Sequence, residues 1–182
     1  MWSTQRLLQG DVAQMKCPKC QKELNDSSPE CPSCSFSIEE LDEFFEKPAS
    51  FTFPIWDEAN LLSTEGKKKL ASRIEKFSSR TDGQFSVVSV ETTKPRLPSE
   101  YLFWLFNRLE IGGEKHQGLM VLVAKEERRI EVEIGCGLEH IITDEGSQRI
   151  LDRHSVDFLK QEFFDEGLWF AVDLLSQVVE NA

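Results

Sequence analysis

The sequence predicts an α/β fold, a three-layer α/β/α sandwich around a small mixed sheet, preceded by a small module held together by cysteines. Three observations predict it. Stretches with apolar residues at helical spacing interleave with a few short β-branched runs, the pattern of helices packed on a sheet. Gly118-Leu-Met-Val-Leu-Val-Ala124 is apolar almost without a break, as a strand buried on both faces requires. Cys17-Pro18-Lys19-Cys20 and Cys31-Pro32-Ser33-Cys34 form two C-P-x-C knuckles ten residues apart. Each knuckle can turn two thiolates toward one point, and two knuckles supply the four soft ligands of a tetrahedral zinc site. The connection between them, 21–30, is polar and turn-forming with no core of its own, so a metal has to hold it. Two disulfides or four unligated thiols are the competing readings. Disulfides need an oxidising compartment and no export signal is legible, so structural Zn2+ on Cys17, Cys20, Cys31 and Cys34 is expected.

Residues 1–14 carry neither periodicity nor core-forming aromatics beyond Trp2 and read as a disordered N-terminus. Met15 stands directly before Lys16-Cys17, and a start of translation at either Met1 or Met15 is the expectation. The zinc ribbon occupies 15–36, and 37–52 hold a short acidic helix and a linker. Ser37 with Glu40 is a capping box, and Ile38, Leu41, Phe44 and Phe45 recur at helical spacing. That apolar stripe either packs on the ribbon or main domain, or faces a partner.

The α/β domain fills 53–182. Ser63-Thr64-Glu65 caps a helix with Leu70, Ile74 and Phe77 inward and Lys67 to Lys69 on the solvated face. Asp82-Gly83 turns the chain into the strand Phe85–Glu91, which Pro95 and Pro98 end. Ser99 starts a helix over Glu100–Leu109, closed by Gly112-Gly113. Lys125–Arg128 turns the buried strand back into Arg129–Gly135, whose alternation of polar and apolar residues gives an antiparallel hairpin with one wet face. Thr143 or Asp144 opens a further helix with Ile150 and Leu151. The last helix spans Glu162–Val179, with Leu168, Val172, Leu175 and Val179 on one face.

Composition narrows the function. The 182 residues include 13 Phe and 4 Trp, enough to fill one domain plus a small appendage. A net charge of −11 argues against a surface that tracks phosphates. Lys16, Lys19 and Lys22 in the ribbon are offset by Glu23, Asp26 and Glu30. The expectation is a ribbon that is structural or protein-binding, with no nucleic-acid partner. No run approaches the roughly 20 apolar residues of a membrane span. A cytoplasmic protein with a protein partner follows.

A series of short motifs then carries a resemblance. It runs Asp57-Glu-Ala-Asn-Leu-Leu-Ser63, Ile111-Gly112, Gly118–Ala124, Arg129-Ile-Glu-Val-Glu-Ile-Gly-Cys-Gly-Leu-Glu139, Ile142-Thr143-Asp144 and Phe164-Asp-Glu-Gly-Leu168. In that order they resemble the TPM domain family over about 53–180. The family includes thylakoid lumen proteins tied to photosystem II repair and acid phosphatase activity, and many bacterial envelope proteins. The resemblance implies a compact α/β/α fold and a divalent cation such as Ca2+, with phosphatase chemistry in part of the family only. Two positions depart from the family pattern. His116-Gln117-Gly118 stands where Asp-Asn-Gly usually opens the central strand, and Cys136 stands where an aromatic is usual. Losing that first carboxylate removes a hard oxygen ligand suited to calcium.

Asp57, Glu139 and Asp144 remain as acidic candidates for a second divalent site, at loops near sheet ends where α/β folds place ligands. An ion there could polarise a phosphate and activate water. Asp144 serves equally well as a helix cap, and Asp57 as a tie at the domain entrance. Cys136 between Gly135 and Gly137 invites a nucleophile reading, but a cysteine-phosphatase loop needs an arginine six positions on, where Ile142 stands. His140 lies four positions on without an orienting third group. A buried, inert thiol in a strand-end turn is the favoured reading of Cys136, and an exposed ring that of His154. The sequence therefore favours a non-enzymatic interaction or accessory module, with a divalent-metal-dependent acid phosphatase of low activity as the alternative.

Overall fold

The computed structural model describes residues 15–20, 22–24, 30–46 and 51–182. The expected disordered N-terminus, most of the loop between the knuckles and the centre of the linker lie outside the described residues. Two short strands, β1 (Met15–Lys16) and β2 (Glu23–Leu24), pair antiparallel in the ribbon. Helix α1 (Ile38–Asp42) follows, with the Ser37 hydroxyl accepting from the Glu40 N–H at 3.3 Å. The domain proper runs β3 (Ile55–Asp57), α2 (Thr64–Thr81), β4 (Gln84–Val90), α3 (Pro98–Arg108), a 3-10 turn (Gly113–Lys115), β5 (Gly118–Ala124), β6 (Arg129–Ile134), α4 (Asp144–His154), α5 (Val156–Lys160) and α6 (Phe164–Glu180). The four strands lie in the order β3-β4-β5-β6, parallel through β5 and antiparallel at β6. This is the expected mixed sheet with helices on both faces.

The period-2 geometry of β4 and β5 divides the apolar residues between two cores. Phe85, Val87, Leu119, Val121 and Val123 face α2, α4 and α6, where Leu70, Ile74, Phe77, Leu151, Leu168 and Leu175 meet them. Val88, Val90, Met120, Leu122 and Ala124 share the other core with α3, and so do Cys17, Cys31, Phe36, Ile38 and Leu41. The ribbon and α1 therefore belong to the domain's second core. Phe36 meets Phe103 edge-on at 5.8 Å, and Phe45 lies against Tyr101 and Trp104 at 4.8 and 5.2 Å. Of the two roles open to the α1 stripe, the structure has the packed one.

Polar ties fix the orientation. The Trp104 indole N–H donates to Asp42 at 2.8 Å, and Arg108 forks onto the same carboxylate at 2.8 and 2.5 Å. Arg96 donates to Glu40 at 2.6 Å while its guanidinium covers the Phe44 ring at 4.0 Å. The Ser99 hydroxyl donates to the Pro18 carbonyl at 3.2 Å. On the opposite face Arg73 straps α2 to α6, bonding Asp173 and Glu180 at 2.6 Å each.

The structure adds one strand and corrects two sequence expectations. The first strand of the sheet is Ile55–Asp57, three residues recruited by pairing with β4 and too short to show a period. Pro98 is the first residue of α3 and does not end the preceding segment, because proline's fixed φ and missing N–H suit a helix start. The segment before the last helix forms α5, and α6 begins at Phe164.

Removing the Asp42 carboxylate leaves the buried Trp104 N–H without its acceptor, so Asp42→Ala should cost about 1–3 kcal/mol. Arg108→Ala removes only a part-exposed ion pair and should cost under about 1 kcal/mol. Urea unfolding of both variants checks this; equal losses would count against the indole bond as the dominant tie.

Candidate metal centre and the acidic positions

The two knuckles are built alike. The Cys17 N–H donates to the Lys22 carbonyl and the Cys31 N–H to the Phe36 carbonyl, both at 2.8 Å. Ser35 takes a left-handed φ of 54° that closes the second turn. Cys17 and Cys34 bring their sulfurs to 3.7 Å, as do Cys20 and Cys31, and all four sulfurs lie within 4.8 Å of one another. A tetrahedron with zinc–sulfur bonds of about 2.3 Å has edges of about 3.8 Å. Cys17 and Cys31 are buried, Cys20 and Cys34 half-buried. Burial pushes the Cys17 thiol up to about 12 against the N–H groups of Cys20 and Lys19. At Cys31 burial also acts upward, but the N–H groups of Ser33 and Cys34 outweigh it and bring the thiol down to about 7. Amide donors favour thiolate and burial opposes it, so a cation among the four sulfurs is what would let them ionise together. The four cysteines fit a zinc ribbon and can hold a metal ion.

Asp57 is a buried hub. Its side chain is 2% exposed. Oδ1 accepts from the Leu61 N–H at 2.9 Å and from the Ser89 hydroxyl; Oδ2 accepts from the Leu62 N–H at 3.1 Å and pairs with Lys67 Nζ at 2.8 Å. Burial alone would raise its pKa, but Lys67, Ser89 and the two amides together hold it below the ordinary carboxylate range. The carboxylate joins the ends of β3 and β4 to the start of α2, which is the tying role. Lys67 is thereby corrected: it is drawn from the solvated face onto this carboxylate. Ser89 and Lys67 escaped the sequence reading, and the available signal was a serine inside an otherwise apolar strand.

The other two acidic candidates, Glu139 and Asp144, belong to later segments of the chain. Asp57 is level with Ser89 and Val123 in the sheet. Glu139 follows β6 beyond Gly135, whose N–H donates to Gly118 at the start of β5. Five residues of strand separate these levels, on the order of 17 Å. The structure does not bring Asp57 and Glu139 together. Asp144 is the first residue of α4, with Thr143 as the N-cap accepting from the Gly146 N–H at 3.1 Å; the Asp144 side chain lies outside what is described.

Cys136 is exposed, which corrects the buried thiol expected there. The strand ends at Ile134 and the following turn carries the residue outward. Its flanking glycines serve close backbone approach: a Cβ on Gly135 would sit 2.1 Å from the His116 carbonyl oxygen, and one on Gly137 2.3 Å from that of Lys115. His116 is half-buried at a left-handed φ of 52°, and His140 and His154 are exposed. Among the described residues, no helix is long and apolar enough to cross a membrane.

The TPM domain model matches residues 55–178. No curated protein matches the chain. Among solved structures, the N-terminal domain of a Porphyromonas gingivalis protein (P.gingivalis), determined by solution NMR, is 26% identical with a TM-score of 0.67, over 73% of this chain and 85% of that one. The N-terminal domain of a Corynebacterium glutamicum protein is 14% identical with a TM-score of 0.57, over 73% and 84% of the two chains. A protein from the psychrophilic bacterium Bizionia argentinensis is 18% identical with a TM-score of 0.57, over 66% and 82%.

Asp57→Asn should lower stability at neutral pH by about 1–3 kcal/mol, through loss of a buried, charge-assisted network. The folded pKa is depressed, so the wild-type advantage is whole above the unfolded carboxyl range near about pH 4. It is lost as pH falls through the folded value, and the two proteins should converge in acid. Urea midpoints at about pH 7 and about pH 2.5 test this; a constant offset would sink the assignment.

Proposed function

The chain belongs to the TPM domain family, and on that premise we propose that it is a non-enzymatic protein-interaction or accessory module, built from its TPM domain and a preceding ribbon that carries a structural Zn2+ on Cys17, Cys20, Cys31 and Cys34. The observation that supports it most is the position of the ribbon: Cys17, Cys31 and Phe36 share one core with α3 and the sheet. A metal there stabilises fold, and four thiolate ligands leave no open coordination position for substrate. The state of Asp57 supports the same reading. A carboxylate accepting four donors, one of them Lys67, has little left to offer a catalytic cation. Four thiols kept available for metal suit a reducing, cytoplasmic setting.

Elemental analysis of the purified chain should find one zinc per molecule, lost in Cys17→Ser together with the near-ultraviolet signal of Tyr101 and Trp104. Retention of that signal without metal would overturn the structural role. Pull-downs with the wild-type chain should retain protein partners, and an absence of any would count against the module. Hydrolysis of p-nitrophenyl phosphate that requires Ca2+ or another divalent ion and disappears in Asp57→Asn would favour the acid phosphatase alternative instead.

A further inference from the structure

The groove between α2 and α6 runs against the charge of the rest of the chain. Lys68, Lys69, Ser72, Arg73 and Lys76 line it from α2 and Trp169 from α6, around a volume of about 380 Å3. The net charge is −11, yet one acidic residue, Glu65, lies in this lining. Lys68, Lys69 and Lys76 are exposed and hold no ion pair among the described residues. Arg73 is different, because its guanidinium is engaged by Asp173 and Glu180 and fixes the two helices that make the walls. Positions 68, 69, 72 and 76 share one helix face and extend over roughly 12 Å. Trp169 is half-buried beside them.

We propose that this groove docks an acidic protein segment that carries an apolar side chain, its carboxylates meeting Lys68, Lys69 and Lys76 and its apolar residue covering the Trp169 indole. The proposal rests on the reading of the chain as an interaction module and names the surface and the chemistry of the partner. Shape and charge choose the occupant. The groove is long and open, and about four residues of extended chain span its lysines at roughly 3.3 Å each. A small anion would leave the indole bare, and a nucleic acid needs a broad positive field that a chain of this net charge lacks. Carboxylates against unpaired lysines give orientation and on-rate, and an aromatic anchor gives the apolar contact typical of interface centres.

The test titrates the full, metal-loaded chain with the N-acetylated, C-amidated pentapeptide Asp-Glu-Phe-Glu-Asp, followed by NMR chemical shifts. Lys-Lys-Phe-Lys-Lys and Asp-Glu-Ala-Glu-Asp serve as controls. Shifts confined to α2 and α6, weaker binding of the alanine peptide, loss of affinity with salt, and a loss of about tenfold in Lys68→Glu/Lys69→Glu are expected. Both lysines are exposed, so the variant's own spectrum should keep the wild-type fold. No shifts, shifts elsewhere, or an equal response to the lysine peptide overturn the proposal. In cell extract, equal capture of partners by wild type and by Lys68→Glu/Lys69→Glu overturns the groove and leaves the interaction-module reading standing. Capture by neither, with the pentapeptide also unbound, overturns both.

Discussion

A helix that is apolar all round has to be covered on every side, and α3 is such a helix. Tyr101, Leu102, Phe103, Trp104, Leu105 and Phe106 are six successive buried residues. The sheet can cover only one flank of them. Phe36, Ile38, Leu41 and Phe45 cover the rest, and all four belong to the ribbon or to the segment around α1. Burying one large apolar side chain is worth about 1.5–3 kcal/mol, whereas an exposed ion pair is worth about 0–1 kcal/mol. The aromatic contacts therefore carry the association, and Arg96, Arg108 and Asp42 set its register. Among its described residues the ribbon has two strands of two residues each, far too little to fold unaided. A metal held by the four sulfurs, as proposed, would make a rigid cover of it, and the order of dependence would then run from metal to ribbon to α3.

At the other end of the same logic stands Asp57. Its carboxylate is buried, and burial without partners would cost several kcal/mol. The Leu61 and Leu62 amides, the Ser89 hydroxyl and the Lys67 ammonium remove that cost by occupying the acceptor sites. A carboxylate so engaged is a poor cation ligand, because coordination would have to displace donors that then stand unpaired in a buried place. One residue cannot serve both roles well, and the geometry here is that of the tie.

The long elements were legible because their periodicity is a direct consequence of burying one face. Leu70, Ile74 and Phe77 on α2, and Leu168, Val172 and Leu175 on α6, mark inward stripes, and the unbroken apolar run of β5 marks a strand with helices on both sides. The four cysteines were legible for a different reason: a knuckle is local, and its spacing encodes the turn. What could not be read is what depends on distant pairing. β3 is a strand only because Trp56 lies beside Val88. Lys67 looks like part of a solvated run until β3 places Asp57 within 2.8 Å of it. Asp57 and Glu139 look like partners in a list of acidic residues, and strand direction alone puts them at opposite ends of the sheet.

The cations sort by the same test. Arg96 and Arg108 anchor α1, Arg73 anchors α6, and Lys67 neutralises Asp57; each is at least partly buried by the contact it makes. Lys68, Lys69 and Lys76 make no such contact among the described residues and are exposed. Nothing in the folding of α2 asks for lysine at those positions, since glutamate and glutamine have nearly the same helix propensity. In a chain with 32 acidic residues against 21 basic ones, either would match the prevailing surface better. The cluster of positive charge beside Trp169 is thus explained by neither stability nor composition, and a face that folding does not require is accounted for by what meets it.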